Sequence, residues 1–191
     1  MEKIIFYVTT NKGKFEEVSS YLEQKKAPFT LKMASLDIPE IQTLDQHAIA
    51  LDKANKAWDI LQKPLIVDDA AIYFKRYKDF PGTMSKFISQ GMGITGIKRL
   101  FDEGDEAFYK LTFVYVWNHQ KQHIIQAECH GTLTANVSLM ARPDLPYDTF
   151  FIPRGSSVPN AVHAVRDNPN YFYRIQATEK FLNWYVTQKS D

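Results

Sequence analysis

The feature that most constrains this chain is a long stretch of alternation in its second half. Tyr109, Leu111, Phe113, Tyr115 and Trp117 occupy every other position, a polar Asn118-His119-Gln120-Lys121 turn follows, and Ile125, Ala127, Cys129, Gly131 and Leu133 alternate on the way back. A period of two gathers one set of side chains on one face of a strand, and two such runs across a short turn read as a long antiparallel hairpin. Any sheet that contains it has antiparallel pairs.

The first half has a different grammar. Ile4 to Val8 is a continuous apolar run that ends in Thr9-Thr10-Asn11, and Phe15, Val18, Tyr21 and Leu22 follow at helical spacing. This predicts a buried strand, a short polar loop and an amphipathic helix. Phe29 to Met33 reads as a second strand, and Leu36 to Gln42 as an extended loop because Pro39 biases Ile38 away from helix. A helix is expected from about Asp45 to Leu61, with Leu51, Ala54, Trp58 and Leu61 on its apolar face and Lys63-Pro64 as its stop. Leu65-Ile66-Val67 is a short apolar strand expected to end at Asp68-Asp69. Two short helices broken near Gly91-Met92-Gly93 are expected between Met84 and Phe101. Arg142 to Asn170 is loop-rich, and a last helix runs from about Tyr171 to Thr187 with Ile175, Leu182 and Tyr185 on one side. The order is mixed α/β, in one domain over residues 1–191.

Composition removes several classes of function. The formal net charge is +1, so no global field draws the protein to nucleic acid or an acidic membrane, and any anion site must be built locally. Cys129 is the only cysteine, which excludes a disulfide framework or a thiolate metal cage within one chain. No apolar run reaches bilayer-spanning length, and a cytoplasmic location is expected. The five histidines are read as surface or hairpin residues, Cys129 as core, and the aromatic hairpin as core packing or a subunit interface.

Three places offer chemistry. A strand that feeds a helix at Thr9-Thr10-Asn11 collects backbone N–H groups and the positive end of the helix dipole. Lys12 and Lys14 lie in the first turn, where a bound anion would offset their charge. The plainer alternative is an N-cap made by Thr9 or Asn11 with solvated lysines. Asp68-Asp69 could hold a divalent ion or supply a base, or could cap a turn, and Glu40 offers a further hard oxygen ligand. Lys53, among Ala50, Ala54 and Ala57, could reach a phosphate or simply be an exposed helical lysine.

Together these spacings resemble the inosine/xanthosine triphosphate pyrophosphatase family, the Ham1-like non-canonical purine nucleotide pyrophosphatases. Its T-x-N-x-x-K-x-x-E opening stands here as Thr9, Asn11, Lys14 and Glu17. Its L-D-x-x-E-x-Q loop is Leu36 to Gln42 with Glu40, and its A-x-x-K-A-x-x-A helix is Ala50, Lys53, Ala54 and Ala57. The acidic pair is Asp68-Asp69, and the P-G-x-x-S loop is Pro81, Gly82 and Ser85. Further on, the G-F-G-Y-D-P segment survives as Tyr147 and Asp148 within Asp144 to Thr149. The S-H-R-x-x-A helix start keeps Arg174 and Ala177, with Tyr173 in place of the histidine and Phe172 in place of the serine. The family lysine before that arginine falls on Asn168, and Ala70-Ala71 stand where the family has a small hydroxyl and a glycine.

The resemblance implies a two-lobed mixed α/β domain with its site in a cleft, usually as a homodimer. It implies hydrolysis of a nucleoside triphosphate to the monophosphate and pyrophosphate with Mg²⁺ or Mn²⁺. Glu40 and Asp69 would be the metal ligands, directly or through water, and Asp69 or Asp68 would orient the attacking water. Thr9, Asn11, Lys14 and Lys53 would hold the polyphosphate. Tyr147, Asp148, Tyr173 and Arg174 would face the nucleoside side. The rewritten base-reading positions imply two alternatives: a pyrophosphatase redirected to another or modified nucleotide, or a non-catalytic nucleotide-binding relative.

Overall fold

The computed structural model describes residues 3–119, 121–136, 145–162 and 172–188. Asp144, His163 and Asn168, and much of the loop-rich Arg142 to Asn170 stretch, lie outside them. The elements run β1 (Ile4–Val8), α1 (Lys12–Gln24), β2 (Thr30–Ala34), α2 (Gln46–Leu61), β3 (Leu65–Phe74), β4 (Pro81–Gly82), α3 (Ser85–Ile97), β5 (Glu106–Asn118), β6 (Lys121–Leu133), β7 (Phe151–Pro153) and α4 (Tyr173–Thr187). The strands form a mixed sheet in the order β2-β1-β3-β5-β6-β7, with β4 pairing β3 beside that path. β1 pairs in parallel with β2 and β3, whereas β3–β4 and β6–β7 are antiparallel.

The chain folds as two compact units. The first comprises Met1–Asp69, Leu111–Ala127 and Arg174–Asp191, and the second comprises Ala70–Lys110 and Glu128–Tyr173. In the first unit the period of two divides β1, β3 and β5 between two covers. Val8, Leu65, Val67, Val114 and Val116 pack with Ala50, Ala54 and Ala57 of α2. On the other face Tyr7 meets Phe113, and Phe113 and Tyr115 pack on Phe181 of α4. In the second unit Phe74, Phe101, Tyr147 and Phe150 meet edge to face. Each fully buried aromatic side chain stabilises such a core by roughly 1.5–3 kcal/mol.

Several expectations hold and others need correction. β1, α1, the hairpin and the break in α3 stand as the pattern predicts; Gly93 sits at the break with φ 62° and ψ −179°, a conformation open to glycine. α2 buries Ile49, Ala50, Ala54 and Ala57, while Leu51, Trp58 and Leu61 only flank the core. Small side chains let that helix approach the sheet closely, so the alanines and not the bulky residues mark its inner face. Gln62, in the left-handed region at φ 47°, ends the helix before Lys63-Pro64. In α4 it is Phe181 that is fully buried, with Leu182 half-buried. The largest correction concerns β3. It continues ten residues to Phe74, so Asp68-Asp69 lies in mid-strand and not at a strand end. The strand runs on because Ile72 and Tyr73 pair with Gly82 and Pro81 of β4.

Candidate functional site

The site grows from the first unit's β1–α1 junction. Asn11 is the N-cap of α1: its side-chain oxygen accepts from Lys14 N at 3.1 Å, and Thr9 Oγ1 accepts from Asn11 N at 3.1 Å. Both cap residues therefore hold the turn itself. The N–H groups of Lys12 and Gly13 have no partner among the described residues, which leaves two donors at the positive end of the helix.

Lys14 leaves this turn toward β3, where its Nζ meets Asp68 Oδ1 at 3.2 Å. Asp68 is 1% exposed, and its other oxygen accepts from Arg174 Nε at 3.2 Å. Arg174, at the start of α4, is fully buried and also donates from Nη1 to Glu17 Oε2 at 2.5 Å. Burial would raise the pKa of Asp68, but Lys14, Arg174 and Lys53 outweigh it and hold the carboxyl well below the usual range. Burial lowers the Lys14 pKa, with Arg174 and Lys53 acting in the same direction and Asp68 against them. The hydroxyl of Tyr7, enclosed in β1, is pushed far up by burial and then by the Asp68 charge.

On the α2 side, Lys53 Nζ donates to Glu40 Oε1 at 2.9 Å and lies 3.5 Å from the Asp68 carbonyl oxygen. Burial alone would lower its pKa, but the charges of Glu40 and Asp68 raise it. Gln46 Nε2 donates to the Asp69 carbonyl oxygen at 3.1 Å. Asp69 is the exception in this set. Its Oδ2 is buried with no hydrogen-bond partner, and burial pushes its pKa up to about 6.

Thr9, Asn11, Lys14, Glu40, Lys53, Asp68, Asp69 and Arg174 are thus all members of the first unit, linked by the turn, ion pairs and strand just described. Tyr147, Asp148 and Tyr173 belong to the second unit and are buried there. Tyr147 donates to the Ser85 carbonyl oxygen at 3.0 Å, and Asp148 accepts from the Tyr109 hydroxyl at 2.8 Å. Tyr173 stacks on Tyr109 with ring centroids 4.5 Å apart. Tyr7 and Gln46 went unread in the sequence, and Glu17 appeared only as a motif letter. Glu17 carried a usable signal: three residues after Lys14, it shares that lysine's helical face.

The donor set suits a hard cation only in part. Among the described residues no three carboxylate, imidazole or thiol groups gather into a full metal cage. The buried Asp69 Oδ2 without a partner, and the nearby Glu40, are the oxygen donors a Mg²⁺-like ion takes when phosphate and water complete its shell.

The Ham1 family model matches residues 5–184. An inosine triphosphate pyrophosphatase of Kluyveromyces lactis is 31% identical over 153 residues, covering 78% of this chain and 77% of that protein. A dITP/XTP pyrophosphatase of Hyperthermus butylicus is 26% identical and covers 95% of this chain and 94% of its own length. In fold, the Ham1 protein of Staphylococcus aureus superposes with a TM-score of 0.76 at 14% identity, covering 97% of this chain and all (100%) of that one. The chain belongs to the Ham1 family.

Proposed function

We propose that this Ham1-family chain is a nucleoside triphosphate pyrophosphatase that hydrolyses a non-canonical purine nucleotide of the ITP or XTP type to the monophosphate and pyrophosphate. The names of its relatives support the substrate class. The observation that carries the chemistry is the contrast inside one cluster: Lys14 and Lys53 flank a strand on which Asp68 is fully engaged while Asp69 keeps a buried oxygen without a partner.

In this reading the unpaired N–H groups of Lys12 and Gly13, with Lys14 and Lys53, hold the polyphosphate oxygens. Asp69 and Glu40 hold the divalent ion, Mg²⁺ or Mn²⁺, which supplies charge neutralisation at the phosphates. Asp69 orients the water and takes a proton from it as the water oxygen bonds to the α-phosphorus, while the α–β anhydride bond breaks and pyrophosphate leaves. Asp68 keeps Lys14 in place. The dimeric state implied by the family resemblance and the cytoplasmic location expected from the sequence are part of the same proposal.

The test is a pyrophosphate-release assay with Mg²⁺ over ITP, XTP, dITP, the standard nucleotides and several modified ones. Release of pyrophosphate, fastest from an oxo-purine nucleotide, is the expected result. Release only from another base would redirect the assignment. Nucleotide-dependent thermal stabilisation with no pyrophosphate from any substrate would overturn it in favour of a binding protein.

A further inference from the structure

We infer that Gln46 is a positioning residue for Asp69, acting through the Asp69 carbonyl, and that α2 thereby fixes the spacing of the two oxygen donors Asp69 and Glu40. The inference rests on the pyrophosphatase reading above and gives a part in it to a residue that touches no phosphate.

The Asp69 carboxylate is not oriented by bonds of its own. Among the described residues no group donates a hydrogen bond to it, and its Oδ2 is buried. Its direction is therefore set by its backbone. Among the described residues two side-chain donors reach the backbone of the acidic pair, both from α2. Lys53 Nζ lies 3.5 Å from the Asp68 carbonyl oxygen and makes its shorter bond, 2.9 Å, with Glu40. Gln46 Nε2 donates to the Asp69 carbonyl oxygen at 3.1 Å. Gln46 is 3% exposed and carries no charge, so an arriving phosphate does not draw its donor away as it can draw Lys53.

The support behind Gln46 is rigid. It is the first residue of α2, directly after the N-cap Asp45, whose side chain accepts from His47 N and Ala48 N. The capped first turn resists fraying, and Ala50, Ala54 and Ala57 seat the helix on the sheet. The same helix holds the other oxygen donor. Lys53, about two turns beyond Gln46, bonds Glu40 itself, and Lys56 Nζ donates at 2.8 Å to the carbonyl of Pro39, the residue before it. Asp52 pairs with Lys56 at 2.7 Å and keeps it in place. Asp69 and Glu40 are thus each tied to α2, the first by its strand and the second by its loop. A Mg²⁺-like ion demands near-ideal octahedral spacing of its oxygens, so the ties behind its ligands govern affinity.

The test uses the full chain and Mn²⁺ alone, with free Mn²⁺ counted by electron paramagnetic resonance. Wild type, Gln46→Met, Lys56→Met and Ala57→Gly are compared, each also unfolded in denaturant, and the ion lost in Asp69→Asn defines the site. Methionine keeps the length of Gln46 and removes the donor. Kd for Mn²⁺ is expected to rise about tenfold in Gln46→Met, as when a partner behind a metal ligand is lost. Lys56→Met is expected to raise it by a smaller factor, because Lys53 still holds Glu40. Ala57→Gly weakens α2 near its other end without touching either carbonyl, and its Kd is expected to match wild type. On the nucleotide hydrolysed fastest, at saturating Mg²⁺, kcat of Gln46→Met is expected to fall about tenfold with KM within about twofold, since the polyphosphate contacts are untouched.

Wild-type Mn²⁺ affinity in Gln46→Met would overturn the inference. So would an equal Mn²⁺ loss in Ala57→Gly at a matched loss of stability, which would make Gln46 a structural residue only. A raised KM with unchanged kcat would place Gln46 behind the polyphosphate contacts and overturn it as well. If Gln46→Met does not fold, Lys56→Met decides, and wild-type affinity in that variant rejects the proposal. A wild type that binds no Mn²⁺ rejects it outright. If the wild type binds Mn²⁺ but releases no pyrophosphate from any nucleotide, the proposed reaction falls, and the Mn²⁺ series still judges the role of Gln46.

Discussion

Asp68 and Asp69 are neighbours on β3 whose acidities move in opposite directions: Asp68 is held ionised by Lys14 and Arg174, while Asp69 is pushed up to about 6 by burial. The two asparagine variants should therefore separate. Asp68→Asn removes the partner of two cations, and breaking such a buried pair is expected to cost about 3–5 kcal/mol. Asp69→Asn replaces an oxygen that has no hydrogen bond, so stability should stay within about 1 kcal/mol of wild type or rise. Asp69→Asn should nevertheless abolish metal-dependent turnover. Denaturant titration and pyrophosphate release check both halves; equal destabilisation by the two variants would refute the division of roles.

Glu40 and Lys53 form a pair with the carboxylate 43% exposed, so its removal should matter little to stability. Glu40→Gln is expected to change unfolding free energy by less than about 1 kcal/mol. The same variant should raise the Mg²⁺ concentration needed for half-maximal turnover. A Mg²⁺ titration identical to wild type would remove Glu40 from the metal site.

His123 lies face to face with Trp184, ring centroids 3.9 Å apart, and burial lowers its pKa below the ordinary 6.5. The unfolded chain therefore takes up the proton first as pH falls. The contribution is fully present above pH 6.5 and is lost progressively as the pH drops from there through the lower folded value. Wild type should lose Tm in that window, and His123→Phe, which keeps a ring against Trp184, should lose less. Parallel Tm profiles would show that His123 does not carry the dependence.

The lone thiol, Cys129, is buried in β6 and its pKa is pushed up to about 12, first by burial and then by the Asp148 charge. A thiolate is the reactive form, so labelling by a maleimide or disulfide reagent near pH 8 should be slow in the native protein and fast in denaturant. Rapid stoichiometric labelling of folded protein would contradict the burial of that strand face.

Gly131 of β6 pairs with Pro153 of β7 at a place with no room for a side chain. A Cβ there would sit 2.1 Å from the Ile152 carbonyl oxygen and 2.8 Å from the Phe151 ring. Because the first obstacle is paired backbone, Gly131→Ala should cost about 1–3 kcal/mol, measurable as a lower denaturant midpoint. An unchanged midpoint would mean that β7 shifts freely.

How much of this was legible depends on how local the cause is. The β1–α1 junction could be read because an apolar run, an asparagine cap and a helical stripe all lie within about twenty residues of one another. The β5–β6 hairpin could be read because its period is two throughout. The mid-strand position of Asp68-Asp69 could not be. A buried carboxylate inside a strand is tolerable only with its cations, and one of these, Arg174, lies 106 residues further on. β7 escaped for a similar reason: three residues gain their strand character from the register Gly131–Pro153, Thr132–Ile152 and Leu133–Phe151. The hydrophobic pattern of α2 points to Leu51, Trp58 and Leu61, whereas close packing on the sheet selects Ala50, Ala54 and Ala57. The motif residues of the phosphate end were visible as types; that Lys14, Asp68, Arg174 and Glu17 form one series was not.

Arg174 also sets a clock on synthesis. The carboxylates it joins are made early and the guanidinium late, with 106 residues of translation between Asp68 and its partner. At the usual elongation rates that interval is roughly 5–20 s. The first unit is assembled from three separated stretches, the last of which starts at Arg174 itself. A nascent chain stalled before that residue carries Asp68 and Glu17 without their shared cation, so the N-terminal half cannot finish early and wait. The arginine works as a completion signal: the fold closes its ionic series only when the ribosome has delivered the final helix.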